Sequence, residues 1–158
     1  MPATNPHEAF MLEAMEQARL AADLGEVPVG SVVVYEGEII ARGFNLRERD
    51  QDPTAHAELL AMKRAAEVLG SWRLIGCTVY VTLEPCAMCA GAMVNSRVER
   101  CVFGATDPRG GFLGTLDDLS SHPVLNHRFD VVQGVLAEES AELLRSFFRE
   151  KRANRRRR

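Results

Sequence analysis

Two cysteines three residues apart, Cys86 and Cys89 in "TLEPCAMCAGAM", stand where a β-rich run gives way to a helical one. Such a pair serves as a redox dithiol, as half of a closed structural zinc knot, or as two thiolate ligands of a catalytic metal. A zinc ion that does chemistry takes about three protein ligands and keeps one position open for water, whereas a structural zinc is closed by four. At the start of a helix the two sulfurs lie one turn apart and can face one point, and the helix dipole favours their thiolate forms. His56, in "TAHAEL", is the third candidate ligand, again at the first turn of a predicted helix. Glu58 follows two residues later. That spacing does not stack two side chains on one helix face, but near the first turn the carboxylate still reaches the open position. There it can accept a proton from water and later give that proton to a substrate. Alone, His56 would read as a core histidine and Glu58 as a solvated or capping acid. A redox dithiol leaves both without a task, and a zinc module without catalysis requires a fourth ligand. Cys77 and Cys101 lie inside strand-like runs and read as core thiols, not ligands.

The elements around these residues follow from periodicity. From Pro6 to Leu24 apolar residues recur at threes and fours, with Gly25 as a stop, which predicts a helix. "VGSVVVYEGEIIARGFN" predicts a hairpin turning at Glu36-Gly37. After the polar loop "LRERDQDP", Thr54 is a candidate N-cap for a helix that Gly70 closes. "CTVYVTL", "CAMCAGAMVNS" and "VERCVFG" read as strand, short helix and strand; Pro85 suits the helix entry because it lacks a donor where none is needed. A long loop-like stretch leads to "FDVVQGV", a last strand, and then a helix from Glu138 to about Lys151. This alternation predicts an α/β fold: a three-layer α/β/α domain about a central mixed sheet of about five strands. The expected organisation is a single domain over residues 1–150 and a basic C-terminal tail, 151–158.

Composition bounds the setting. The 158 residues suffice for one ordinary core, only four are cysteine, and no apolar run approaches a membrane span. "MPATNPHEAF" lacks the basic start and apolar stretch of a secretion signal, so the expected location is cytoplasmic, where thiols stay reduced. The net charge of -3 conceals an asymmetry: residues 141–158 hold eight Lys or Arg against two Glu. The basic end, "KRANRRRR", reads either as a solvated terminus or as an arm for a polyanion such as RNA.

The order His-x-Glu, then Pro-Cys-x-x-Cys, is the signature of zinc-dependent nucleobase deaminases. Over about residues 8 to 152 the chain resembles, more specifically, the bacterial tRNA-specific adenosine deaminases of the cytidine deaminase-like superfamily. The resemblance rests on "EVPVG", "DPTAHAEL", "YVTLEPCAMCAGAM", "VFGATDP", "NHRFDVVQGVLAEE" and "LLRSFFREKR". It implies a homodimer that converts the wobble adenosine of a tRNA anticodon, in arginine tRNA, to inosine by zinc-activated water. One Zn2+ per chain would be held by His56, Cys86 and Cys89, with Glu58 shuttling protons. The resemblance further places Asn45 where the family holds the target nucleotide and Ala57 in the same substrate site. Val27 and Asn126 match positions lining the base pocket or its rim, and Asp107 one beside the nucleotide's backbone. Phe148 belongs to the C-terminal helix that meets the RNA. As residues alone, Val27 and Phe148 equally suit apolar packing, and Asn126 and Asp107 loop capping. The chain departs from the family pattern in "GGFLG", in Ser31 and in Ser140. A guanine or cytidine deaminase acting on free small molecules is the alternative that shares the zinc signature.

Overall fold

The computed structural model describes residues 5–157. Helix α1, Pro6–Asp23, starts at Asn5, whose side chain accepts from the His7 amide, and places Pro6 in its first turn. Strands β1 (Gly30–Tyr35) and β2 (Glu38–Phe44) form the expected hairpin. Its turn puts Glu36 at φ 51° and Gly37 at φ 79°, the left-handed pair that matches the twist of antiparallel strands. Then follow α3 (Ala57–Leu69), β3 (Cys77–Leu83), α4 (Ala87–Ser96), β4 (Arg100–Ala105), β5 (Asp130–Val132) and α5 (Ala137–Arg156), with a short α2 (Arg47–Asp50) before α3.

The five strands are ordered β2-β1-β3-β4-β5; β1 is antiparallel to both neighbours, while β3, β4 and β5 run parallel. Alternation along the central strands divides the core in two. Val33, Val79, Val81, Cys101 and Phe103 pack with Ala61, Met62 and Ala65 of α3 and Ala90 and Met93 of α4. Val32, Val34, Tyr80 and Val102 turn the other way, onto Met11 and Ala14 of α1. With α5 beside α1, the sheet is covered on both faces, which is the expected three-layer architecture.

Three local expectations are corrected. The loop "LRERDQDP" contains α2, whose free amides at Glu48 and Arg49 donate to the buried Glu26 carboxylate at 3.1 and 2.7 Å. This capping comes from a residue 22 positions upstream, which no local pattern reveals. Thr54 is not the cap of α3, because Asp52 engages both its amide and its hydroxyl; the N-cap position falls to His56. The last helix runs on to Arg156 rather than stopping near Lys151. The residues beyond Lys151 include Ala and Arg, good helix formers with no Gly or Pro, and cations at a helix C-terminus are favoured by its dipole. Of the departures from the family pattern, Ser31 donates to the Tyr80 carbonyl at 2.7 Å, and the Ser140 hydroxyl is buried without a hydrogen-bond partner among the described residues.

Gly43 sets how closely α3 approaches the sheet: a Cβ there would lie 2.6 Å from the Ala57 carbonyl oxygen and 2.8 Å from the Ala61 amide nitrogen. Both are backbone atoms that cannot swing away. Gly43→Ala is expected to lower unfolding stability by about 1–3 kcal/mol through overpacking. Gly91→Ala, inside α4 with open space around it, should instead raise stability by about 0.5–1 kcal/mol. Denaturant midpoints of the two variants against the parent check both signs.

Candidate active site

Two helix starts converge at the ends of the central strands. His56 is the N-cap of α3, Cys86 is the N-cap of α4, and neither makes a side-chain capping bond. Both side chains are therefore free to turn toward the same point. The His56 Nδ1 lies 3.6 Å from Cys86 Sγ and 3.6 Å from Cys89 Sγ. These three donor atoms all lie within 4.8 Å of one another, and among the described residues they form the cluster able to hold a metal ion. Cys77 and Cys101 stand apart from it. Both are buried in strands, and burial pushes the Cys77 thiol up to about 11 and Cys101 well above its ordinary value, as inert core thiols.

The electrostatics favour a cation at the cluster. The hydrogen bond from Cys89, joined by that of His56, holds the Cys86 thiol down to about 3 against the effect of burial. Cys89, the donor in that pair and itself buried, is pushed up. The bond to Cys86 likewise raises His56, although burial opposes it. A thiolate at a helix N-terminus beside a second thiol and an imidazole is a soft, electron-rich site. Beside it, burial pushes the Glu58 carboxyl up to about 7, with opposing pulls from its own backbone hydrogen bond and from His56. A carboxyl poised near neutrality can both accept and release a proton under working conditions.

The cluster opens into a cavity of about 190 Å³ whose lining includes His56, Ala57, Glu58 and Cys86. Val27, Asn45 and Asp107 also line it, so the fold brings together every site residue expected from the sequence except two, with Cys89 buried behind the others. Asn126 is exposed on the loop before β5, and Phe148, 42% exposed on α5, belongs to a separate hollow with Leu144 and Arg152. Asn45 joins two segments of wall: its Nδ2 donates to the Val27 carbonyl at 3.2 Å and its Oδ1 accepts from the Arg47 amide at 3.2 Å. Asp107 Oδ1 accepts from the amides of Arg109 and Gly110, at 3.0 and 3.2 Å, and shapes the opposite wall. Sequence reasoning missed Val29, Arg47, Leu83 and Glu84, which complete the lining. Arg47 lies in the stretch that reads as a polar loop, and Glu84 carried only the signal of preceding Pro85.

Comparison with known proteins agrees with this geometry. Residues 5–152 match the MafB19-like deaminase family. The tRNA-specific adenosine deaminase of Bacillus subtilis (strain 168) is 56% identical over 145 residues, covering 92% of this chain and 90% of that protein. The chain belongs to the tRNA-specific adenosine deaminases. A solved structure from a study of A-to-I editing by tRNA:A34 deaminases at the wobble position superimposes on this deaminase with a TM-score of 0.83 at 44% identity, covering 86% of this chain and 99% of that one. The fold is accordingly the cytidine deaminase-like α/β fold. The guanine deaminase from Nitrosomonas europaea superimposes less well, with a TM-score of 0.74 at 25% identity over 93% of this chain and 85% of that one.

The cluster makes distinct forecasts for three of the four thiols. Cys89→Ala should reduce bound metal to background, while Cys77→Ser and Cys101→Ser retain it, although burying an unpartnered hydroxyl costs each about 1–3 kcal/mol of stability. Elemental analysis of the folded variants, with unfolding midpoints alongside, separates the two effects.

Proposed function

We propose that this deaminase hydrolyses the wobble adenosine of a tRNA anticodon to inosine and ammonia, using a zinc ion and Glu58. The observation that carries the reading is the placement of a buried carboxyl, Glu58, beside a three-donor cluster in a small cavity. Zinc fits the donors. With Zn–S near 2.3 Å and Zn–N roughly 2.0–2.1 Å, tetrahedral angles separate an imidazole nitrogen from a thiolate sulfur by about 3.5–3.6 Å, the spacing His56 makes with both cysteines. His56, Cys86 and Cys89 would hold the ion and leave its fourth position open. When bound there, zinc supplies Lewis-acid activation of water at neutral pH.

The protein's own residues handle the protons and the base. Glu58 takes the proton of the attacking water as its oxygen bonds to the purine carbon that carries the amino group, and passes that proton to the adjacent ring nitrogen. It then transfers the remaining proton from the oxygen to the departing amine, so that water and adenosine become inosine and ammonia. Val27, Ala57 and Asn45 enclose the ring, and Asp107 stands at the wall where the nucleotide's backbone would pass. A cavity of this size admits one base and no paired duplex, so the substrate is a nucleotide splayed out of a loop.

Family resemblance supports three finer assignments: a homodimer, arginine tRNA as the substrate, and Phe148 and Asn126 as contacts to RNA beyond the cavity. A cytoplasmic location accords with a tRNA substrate and with thiols that must stay reduced to hold metal. Among the described residues no helix is long and apolar enough to cross a membrane. Residues 151–158 serve as the basic arm of the domain, and part of that arm is presented on α5.

Incubation with an anticodon stem-loop, free adenosine, free guanine and free cytidine in parallel tests the substrate. Conversion of the stem-loop alone is expected, and conversion of a free base or nucleoside at a comparable rate would favour the alternative. Glu58→Gln should keep zinc and RNA binding while lowering turnover by about 10²–10⁴-fold; near-normal activity with normal zinc would remove Glu58 from the mechanism.

The basic end of α5 allows a salt test. Replacing Arg152, Arg155 and Arg156 together by Gln removes three cations from the exposed last turns. If each meets a phosphate, the slope of log affinity against log salt becomes shallower by about 2, at roughly 0.7 per phosphate for single strands. Parallel lines for parent and variant would show that these side chains stay in solvent.

A further inference from the structure

Glu84 is the last residue before Pro85 and Cys86, and its side chain is 2% exposed although it carries a carboxylate. All four of its hydrogen-bond donors come from one irregular segment, residues 107–115. Oε1 accepts from the Asp107 amide at 3.0 Å and from the Thr115 hydroxyl. Oε2 accepts from the amides of Leu113 and Thr115, each at 3.1 Å. The segment passes so close that a Cβ on Gly111 would lie 2.3 Å from the carboxyl carbon. One further bond ties the same segment to the metal-site frame, from the Phe112 amide to the Pro85 carbonyl at 2.9 Å, while the Glu84 amide donates to the carbonyl of Ala105, the last residue of β4, at 2.8 Å. Leu113 is buried in the core shared with α4.

A buried carboxylate is costly unless its oxygens are satisfied, and an apolar side chain of similar size would pack there at less expense. An apolar residue would, however, leave three backbone amides of the cavity wall without acceptors. The wall holds Asp107, and both Asp107 and Glu84 line the cavity. We propose that Glu84 is a positioning residue for substrate capture: it anchors residues 107–115 as a wall against the metal-site strand and sets Asp107 at the mouth where the target nucleotide enters. The proposal rests on the reading that this cavity receives a single base from RNA. Glu84 acts on the substrate through the wall and takes no part in the proton transfers.

Glu84→Gln tests it. The amide nearly conserves volume, but one oxygen becomes a donor facing two donors, so two of the four bonds are lost. On the full-length, zinc-loaded chain, three quantities are measured: metal per chain, amide hydrogen exchange of the peptide spanning 107–115, and kcat and KM for an anticodon stem-loop. Metal content should be unchanged, exchange of that peptide faster by on the order of tenfold, and KM higher by on the order of tenfold, with kcat altered less than about threefold. Thr115→Val, which removes the hydroxyl bond, should give a smaller rise in KM. Gly111→Ala, which displaces the wall with Glu84 intact, should give a rise of the same kind. Loss of zinc, or a fall in kcat at constant KM, would place Glu84 in the metal site and overturn the proposal. Unchanged exchange would overturn it too, as would a wild-type KM in both Thr115→Val and Gly111→Ala should Glu84→Gln fail to fold. If the parent chain converts no stem-loop, the functional reading fails instead, and the exchange experiment still decides whether Glu84 holds the wall.

Discussion

The structure depends on holding one imidazole nitrogen and two sulfurs at 3.6 Å contacts although they come from two different helices. Neither α3 nor α4 can impose that spacing alone. Each helix start must be fixed against the sheet, and the close approaches show where this is done. Gly43 lets the backbone of α3 lie directly on β2. Cys86 and Cys89 are set by the continuous path from β3 through Pro85 into α4, with β3 central in the sheet and paired on both sides. The N-cap positions of both helices carry two of the clustered donor side chains in place of the usual capping ones. Both helix starts thus turn the positive ends of their dipoles toward a point where a thiolate is already favoured.

Around this rigid centre the cavity is walled by irregular backbone, and the walls are held by side chains rather than by regular structure. Glu26 on one side accepts from the start of α2, next to Asn45 and Arg47; Glu84 on the other accepts from the segment carrying Asp107. Both carboxylates are almost fully buried, at 1% and 2% exposure. Each replaces solvent as acceptor for amides that the cavity would otherwise leave unpaired. The same physical solution therefore appears twice, once on each wall.

This division explains what the sequence disclosed. The helices, the hairpin and the parallel β3-α4-β4 unit were legible because apolar periodicity and glycine stops are local signals. That His56, Cys86 and Cys89 would converge, with Glu58 beside them, was legible because their spacing is set by two helix starts, each spanning a few residues. Long-range bonds were not legible: Glu26 to α2, Thr54 turned toward Asp52, and Glu84 to a segment 23 to 31 residues downstream. Arg47 and Glu84 carried charge, and a charge on its own reads as solvated surface until the fold shows what encloses it. The final turns of α5 were missed for a different reason, since a run of like charges argues against order while the individual residues favour helix.

Separating a chemical centre built on regular elements from walls built on hydrogen-bonded loops has a consequence for specificity. The Val27-Asn45 wall can vary without moving the donor cluster, whereas the 107–115 wall is joined to it through Glu84, Pro85 and the buried Leu113. The comparisons are consistent with this arrangement. A guanine deaminase retains the fold at 25% identity, while a wobble-position tRNA deaminase matches at 44% with closer superposition. What distinguishes a pocket for a free base from one for an RNA loop must then lie largely outside the shared frame. Outside that frame lie the Val27-Asn45 wall, the 107–115 wall, and α5, where Arg145 and Arg149 pair with Glu138 and Glu142 while Arg152, further along, lies in the same hollow as Phe148. Unneutralised positive charge is thereby concentrated toward the end of the helix, away from the carboxylates of its first turns.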